Sequence, residues 1–206
     1  MVEMIHWLGH ASLLIMVGEK RVYVDPWKLR EAQPASLVLV THEHFDHCSP
    51  EDIEKVAGPE TPIVGPEGAL KKIKVGQRLI LKPGEKHDFS WLLVEARPAY
   101  NLKKDFHPKN RGDLGYLLRW QDKSLYVAGD TDCLPEMEEL NPDIAVLPVG
   151  GTYTMDAAEA ARAVSIMKPK VAIPYHYGDI VGTGQSAAEF QRLVKGVEVK
   201  ILPVER

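Results

Sequence analysis

Within Thr41-His42-Glu43-His44-Phe45-Asp46-His47, three histidines and one aspartate fall in the order His-x-His-x-Asp-His. The run before it, Leu37-Val38-Leu39-Val40, predicts a short buried strand. The run after it, Ser49-Pro50-Glu51-Asp52, reads as a helix start, with a serine cap, proline at the first helical position and acids in the first turn. A chain built this way is constrained to an architecture of strands and helices, with the cluster in a loop at a strand's carboxyl end. Such sheets place their ligands there. Side chains two apart in extended backbone point the same way, so His42 and His44 can grip one metal ion as a pair. Asp46 and His47 fall where the chain turns into the helix, and they point towards a second ion. Imidazole and carboxylate suit zinc, manganese or iron. The alternative is a polar loop whose histidines only cap and hydrogen-bond. Four ligand-type residues behind one apolar strand argue against it.

The same device recurs. Leu125-Tyr126-Val127-Ala128 runs into Gly129-Asp130-Thr131-Asp132, and Val171-Ala172-Ile173-Pro174-Tyr175 runs into His176. Gly129 allows close backbone approach beside Asp130, whereas Asp132 reads as a loop residue. Asp25 also follows an apolar strand. It either supports a metal-bound imidazole from behind or is a turn residue before Pro26, and the two readings stand level. His10 lines the mouth of the site or is a satisfied structural histidine. Cys48 and Cys133 lie close to proposed ligands but read as small buried residues. Between Arg97 and Arg111 the chain carries Asn101, His107 and the cations Lys103, Lys104, Lys109 and Arg111. The cations recognise an anionic small-molecule substrate, or they form a solvated loop face.

Elsewhere the pattern predicts strands at 2–8, 11–17 and 21–24, a helix over 50–57, a strand at 62–64 and a helix near 66–72. Antiparallel strands are expected at 78–82 and 90–97, with His87 solvated in the turn between them. A hairpin follows at 114–119 and 124–128, then a strand at 144–148. A helix runs from about Asp156, with Glu159 completing its cap, to Met167. Ser186-Ala187-Ala188-Glu189 reads as a capping box opening the last helix, and 197–203 as a closing strand. We find no linker or repeat, so residues 1–206 read as one domain. A chain of 206 residues buries roughly 70% of its unfolded surface in such a domain. The formal net charge of −4 gives no basic footprint for nucleic acid. The start lacks a basic region followed by an apolar core, and no apolar run approaches the ~20 residues of a membrane span. Cytoplasm is the expected location.

His42-x-His44-x-Asp46-His47, followed in order by Asp130 and His176, resembles the signature of the metallo-β-lactamase fold superfamily of binuclear metal hydrolases. Trp7-Leu8-Gly9-His10-Ala11-Ser12 is similar to the opening of the branch containing ascorbate-6-phosphate lactonase and N-acyl-phosphatidylethanolamine phospholipase. The resemblance implies an α+β or α/β fold, a four-layer αββα sandwich of two mixed sheets covered by helices. It implies two divalent ions, zinc first with manganese or iron as alternatives. Asp130 would bridge them, and His176 would complete the second site with Asp46 and His47. Most of the superfamily has a lone histidine where this chain has Asn101. Three readings follow: His107 takes that place, Asn101 supplies a weaker oxygen, or the first site is loose. The first is favoured, because neutral imidazole is the better zinc ligand. The implied activity is hydrolysis of a small ester, lactone or phosphodiester by a metal-bridging hydroxide, with Asp46 and Asp130 catalytic and Asp46 shuttling a proton. A redox di-iron protein and a non-catalytic metal-binding protein of the same fold are the alternatives. The flavodiiron branch has glutamate where this chain has His44, which counts against the first. Nothing resembles the nuclease branch's extra domain, so RNA processing is not expected.

Overall fold

The computed structural model describes residues 2–205 and divides into two compact units. One takes in the described residues through Lys82 together with those from Pro203 on, and the other is Pro83–Leu202.

The first unit is a six-stranded mixed sheet in the order β1-β2-β3-β4-β5-β6. Strands β1 (Ile5–Gly9), β2 (Ser12–Val17) and β3 (Lys20–Val24) form an antiparallel meander. Strands β4 (Leu37–Leu39), β5 (Pro62–Gly65) and β6 (Gln77–Ile80) continue from β3 in parallel. Helix α1 (Pro50–Val56) connects β4 to β5, and α2 (Glu67–Leu70) lies between β5 and β6. Ser49 caps α1 by accepting from the Asp52 amide, with Pro50 at the first turn, as the sequence predicts. One face of the sheet sends Tyr23, Val38, Val40 and Ile63 into a core with Ile53, Val56, Leu70 and Ile73. The alternate residues Val22, Val24, Leu37 and Leu39 are buried as well. That is why β4 reads as a continuous apolar run rather than an alternating one. The chain's end returns to this unit, where Val204 bridges to Trp7.

The second unit is a seven-stranded mixed sheet, β13-β12-β11-β10-β9-β8-β7. Strands β7 (Lys86–Asp88), β8 (Leu93–Pro98), β9 (Leu114–Trp120) and β10 (Lys123–Val127) are antiparallel. From β10 the pairing turns parallel through β11 (Ile144–Pro148), β12 (Val171–Tyr175) and β13 (Glu198–Val199). Helix α3 (Ala157–Met167) links β11 to β12, and α4 (Gly184–Leu193) links β12 to β13. The Asp156–Glu159 capping box forms as expected, and Ala157, Ala160, Ala161, Val164 and Met167 are buried.

Three expectations need correction. The strand expected at 78–82 pairs in parallel with β5 in the first sheet. The antiparallel partner of β8 on that side is instead β7, where His87 is half-buried and meets Phe89 edge-on at 4.5 Å. Alternating Lys-His-Asp offers too little apolar signal to read as a strand. The cap of α4 is Thr183, not Ser186, which sits three residues inside as its reciprocal partner. The closing strand is two residues long. Among the described residues no helix is long and apolar enough to cross a membrane.

Candidate metal centre

In the first unit, parallel pairing places the carboxyl ends of β3 and β4 side by side, with Val24 opposite Leu39. Asp25 and the loop from Thr41 to His47 therefore emerge together. Asp25 is fully buried and adopts φ 46°, in the left-handed region that aspartate tolerates better than most residues. Its carboxylate accepts from the Thr41 amide at 2.8 Å and the Thr41 hydroxyl at 2.6 Å. It also accepts from His47 Nδ1 at 2.7 Å. Burial raises the Asp25 carboxyl, and His47 and Thr41 act in the opposite sense.

These bonds decide how two imidazoles are presented. His47 gives its Nδ1 proton to Asp25, which leaves Nε2 with a lone pair. Thr41 gives its single hydroxyl proton to the same carboxylate. The hydroxyl can then only accept from His42 Nδ1, 3.0 Å away, so His42 also presents Nε2 as a lone pair. His42 Nε2 lies 3.0 Å from His44 Nδ1. Two buried or half-buried nitrogens so close, both able to carry lone pairs, fit a shared cation. Asp46, His47 and His10 each offer a ligand atom within 4.8 Å of one another. His10, also fully buried and at φ 50°, donates from Nε2 to Asp46 Oδ2 at 2.9 Å. It is thus a buried hydrogen-bonded partner of the motif.

In the second unit, Asp130 follows β10 and His176 follows β12, at the shared carboxyl edge of the parallel strands. His176 adopts φ 59°. Its Nε2 lies 3.0 Å from Asp130 Oδ1, and His107 Nε2 lies 3.4 Å from Asp130 Oδ2. All three are buried. Asp130 thus lies with one imidazole near each oxygen, a donor set that fits a divalent ion shared by its carboxylate. His47 with Asp25 behind it is the arrangement that a metal-ligating histidine commonly has.

Asn101 has a different role from the histidine it stands in for. Its Oδ1 accepts from the His107 amide at 3.0 Å, and its own amide donates to the His107 carbonyl at 2.8 Å. Its Nδ2 donates to Asp132 and to the Tyr153 carbonyl, both at 3.0 Å. It closes the 101–107 loop and carries His107 inward.

Sequence reasoning missed two carboxylates. Asp132, read as a loop residue, is buried and binds Asn101, the Leu102 amide and Lys104. Burial alone would raise its carboxyl, but those bonds hold it below the ordinary value. Asp113, also buried, lies 3.2 Å from His107 Nδ1 and is gripped by Arg111. Cys48 behaves as expected. Burial pushes its thiol up to about 11, and its Sγ donates to the Ala69 carbonyl. The loop cations are answered internally: Lys104 by Asp132, Lys109 by Glu136 and Arg111 by Asp113. Leu102 and Phe106 of the same loop are exposed, with Phe106 edge-on to Tyr153 at 4.6 Å.

The sequence matches the β-lactamase superfamily domain over residues 4–176. A UPF0173 metal-dependent hydrolase of Pyrobaculum islandicum is 32% identical over 214 residues, covering 94% of this chain and 92% of its own. The crystal structure of a protein from Parabacteroides distasonis, provisionally named a metal-dependent hydrolase, aligns with TM-score 0.85 and 34% identity. It covers 98% of this chain and 93% of its own. Igni18, a metallo hydrolase from Ignicoccus hospitalis, shares the fold with TM-score 0.80 at 23% identity, over 98% of this chain and 95% of its own. Two mixed sheets with flanking helices, the expected fold class, are thus the metallo-β-lactamase fold.

Proposed function

This chain belongs to the β-lactamase superfamily and is a metal-dependent hydrolase, and from that premise we propose that it holds two divalent ions, zinc foremost, and cleaves a small ester or lactone. In this reading His42, His44 and His107 take one ion. Asp46, His47 and His176 take the other, and Asp130 serves both. Single-domain action by residues 1–206 is part of the proposal. The observation that carries it is the Asp25 carboxylate, which directly or through Thr41 turns the Nε2 lone pairs of His47 and His42 outward.

Bound there, the ions supply an acidified water and positive charge that polarises the substrate oxygen. The remaining work falls to the chain itself. Asp25 and Thr41 fix two rings. Asn101 draws His107 in from its loop. Asp46, its Oδ2 held by His10, carries a proton to the leaving group. The 101–111 loop exposes Leu102 and Phe106 and pairs three of its four cations with carboxylates, which supports a neutral substrate with an apolar part over an anionic phosphodiester.

Metal quantification on purified protein, with chromogenic esters, lactones and phosphodiesters, tests this. About two equivalents of transition metal and turnover of neutral esters or lactones are expected. Asp46→Asn should lower turnover at unchanged metal content. A protein that takes up no transition metal under any loading condition overturns the reading.

A further inference from the structure

The two rings with carboxylate backing are not backed alike. Asp25 accepts from His47 and Thr41 and pairs with no lysine or arginine among the described residues. It therefore stands behind His47 as an uncompensated anion. Asp113 stands behind His107 in the same way, but Arg111 Nε donates to both of its oxygens, at 2.8 and 2.9 Å. The guanidinium already neutralises that carboxylate, so it adds less electron density to the ring.

Arg111 also acts on the ring directly. Its terminal nitrogen lies 2.8 Å from His107 Nδ1, nearer than Asp113 Oδ2 at 3.2 Å. A guanidinium only donates, and a carboxylate only accepts. His107 Nδ1 must therefore choose between accepting from Arg111 and donating to Asp113. The shorter contact favours acceptance, with the ring proton on Nε2. That nitrogen lies 3.4 Å from Asp130 Oδ2. A metal ion binding at Nε2 has to displace this proton and turn the Arg111 contact from a hydrogen bond into a repulsion.

Resting on the two-ion reading above, we propose that the ion to which His107 contributes is the weaker, exchangeable one, and that Arg111 sets this weakness. Arg111 and Asp113 are positioning residues, acting through His107.

The test uses the whole protein and zinc alone. Zinc uptake against a competing chelator should proceed in two steps. His107→Ala should remove the weaker step and leave the tighter one. Arg111→Met should tighten the weaker step by about 10-fold, the lower end of what a partner behind a ligand contributes. Arg111→Lys, which keeps a cation for Asp113 but lacks the fork, should fall between and guards against a Met variant that fails to fold. In the metal-free wild type, nitrogen NMR of His107 should show the proton on Nε2. Equal steps, a weaker step indifferent to Arg111, or a proton on His107 Nδ1 overturns the inference while leaving the two-ion reading intact. A protein that takes up no zinc, or one equivalent in every variant, overturns both.

Discussion

Asp25→Asn is the substitution whose consequences the structure states most fully. Asparagine tolerates the φ of 46° at this position at least as well as aspartate, so the backbone need not move. Its amide oxygen can still accept from the Thr41 amide. The other carboxylate oxygen, which serves both the Thr41 hydroxyl at 2.6 Å and His47 Nδ1 at 2.7 Å, becomes an NH2 group that only donates. His47 must then accept at Nδ1 and carry its proton on Nε2, where a ligand lone pair is needed. The Thr41 hydroxyl also loses its acceptor, and with it the reason to hold His42 in the ligating tautomer. Loss of such a partner costs roughly 10–100-fold in metal affinity, or about 1.4–2.7 kcal/mol. With two rings affected, the upper end is expected. The metal-free fold should change far less. The lost charge-assisted bonds are offset in part by no longer burying a carboxylate that burial itself disfavours. The assay is chelator competition for zinc, paired with thermal unfolding of the metal-free protein. A folded Asp25→Asn variant that binds zinc as tightly as the wild type would refute the tautomer argument.

Other substitutions probe the scaffold. Asp52 accepts from the Lys28 and Leu29 amides, Ser49 and Lys55. Burial alone would raise its carboxyl, but those bonds hold it below the ordinary value. A depressed carboxylate stabilises the fold above its unfolded value of about 3.9, and this stability is lost as pH falls through the lower folded value. Asp52→Ala should therefore cost about 1–3 kcal/mol in denaturant unfolding at pH 7, with the gap to wild type closing below pH ~4. Gly115→Ala would put a Cβ 2.6 Å from the Ala128 carbonyl oxygen and 2.9 Å from that of Val127. Backbone in mid-sheet cannot retreat, so Tm should fall by several degrees in a thermal melt. Thr183→Ala should cost about 1 kcal/mol, seen as faster amide exchange at the start of α4, whereas Ser186→Ala should cost less.

Features that depend on local spacing were readable from the chain. Apolar Leu37-Val38-Leu39-Val40 followed by ligand residues, then by Ser49-Pro50, specifies strand, loop and capped helix without outside help. The strands leading to Asp130 and His176 are equally self-declaring, because a parallel strand buried on both faces leaves a continuous apolar run. Asp25 and Asn101 were visible as residues of interest but not as roles. Both roles depend on partners 16 to 22 positions away or on a loop folding back on itself.

Asp113 could not be read at all, for a topological reason. Asp25 and Asp130 follow strands, so the rule that ligands gather at carboxyl ends finds them. Asp113 precedes β9, and that strand runs antiparallel to β10, with Tyr116 opposite Val127. The amino end of β9 therefore lies at the same edge as the carboxyl end of β10, where Asp130 begins the ligand loop. An edge where an antiparallel strand adjoins a parallel set recruits residues from both ends of strands. Arg111-Gly-Asp113, immediately before a strand's start and against His107 from the other side of the loop, is the pair such a search has to include. The same topology explains why the carboxylates of the two units are reached differently. In the first unit β3 and β4 are parallel, so a bare carboxylate and its histidine emerge together from neighbouring strand ends. In the second, the carboxylate arrives from an irregular loop that also delivers a guanidinium, and both lie against the same ring nitrogen of His107.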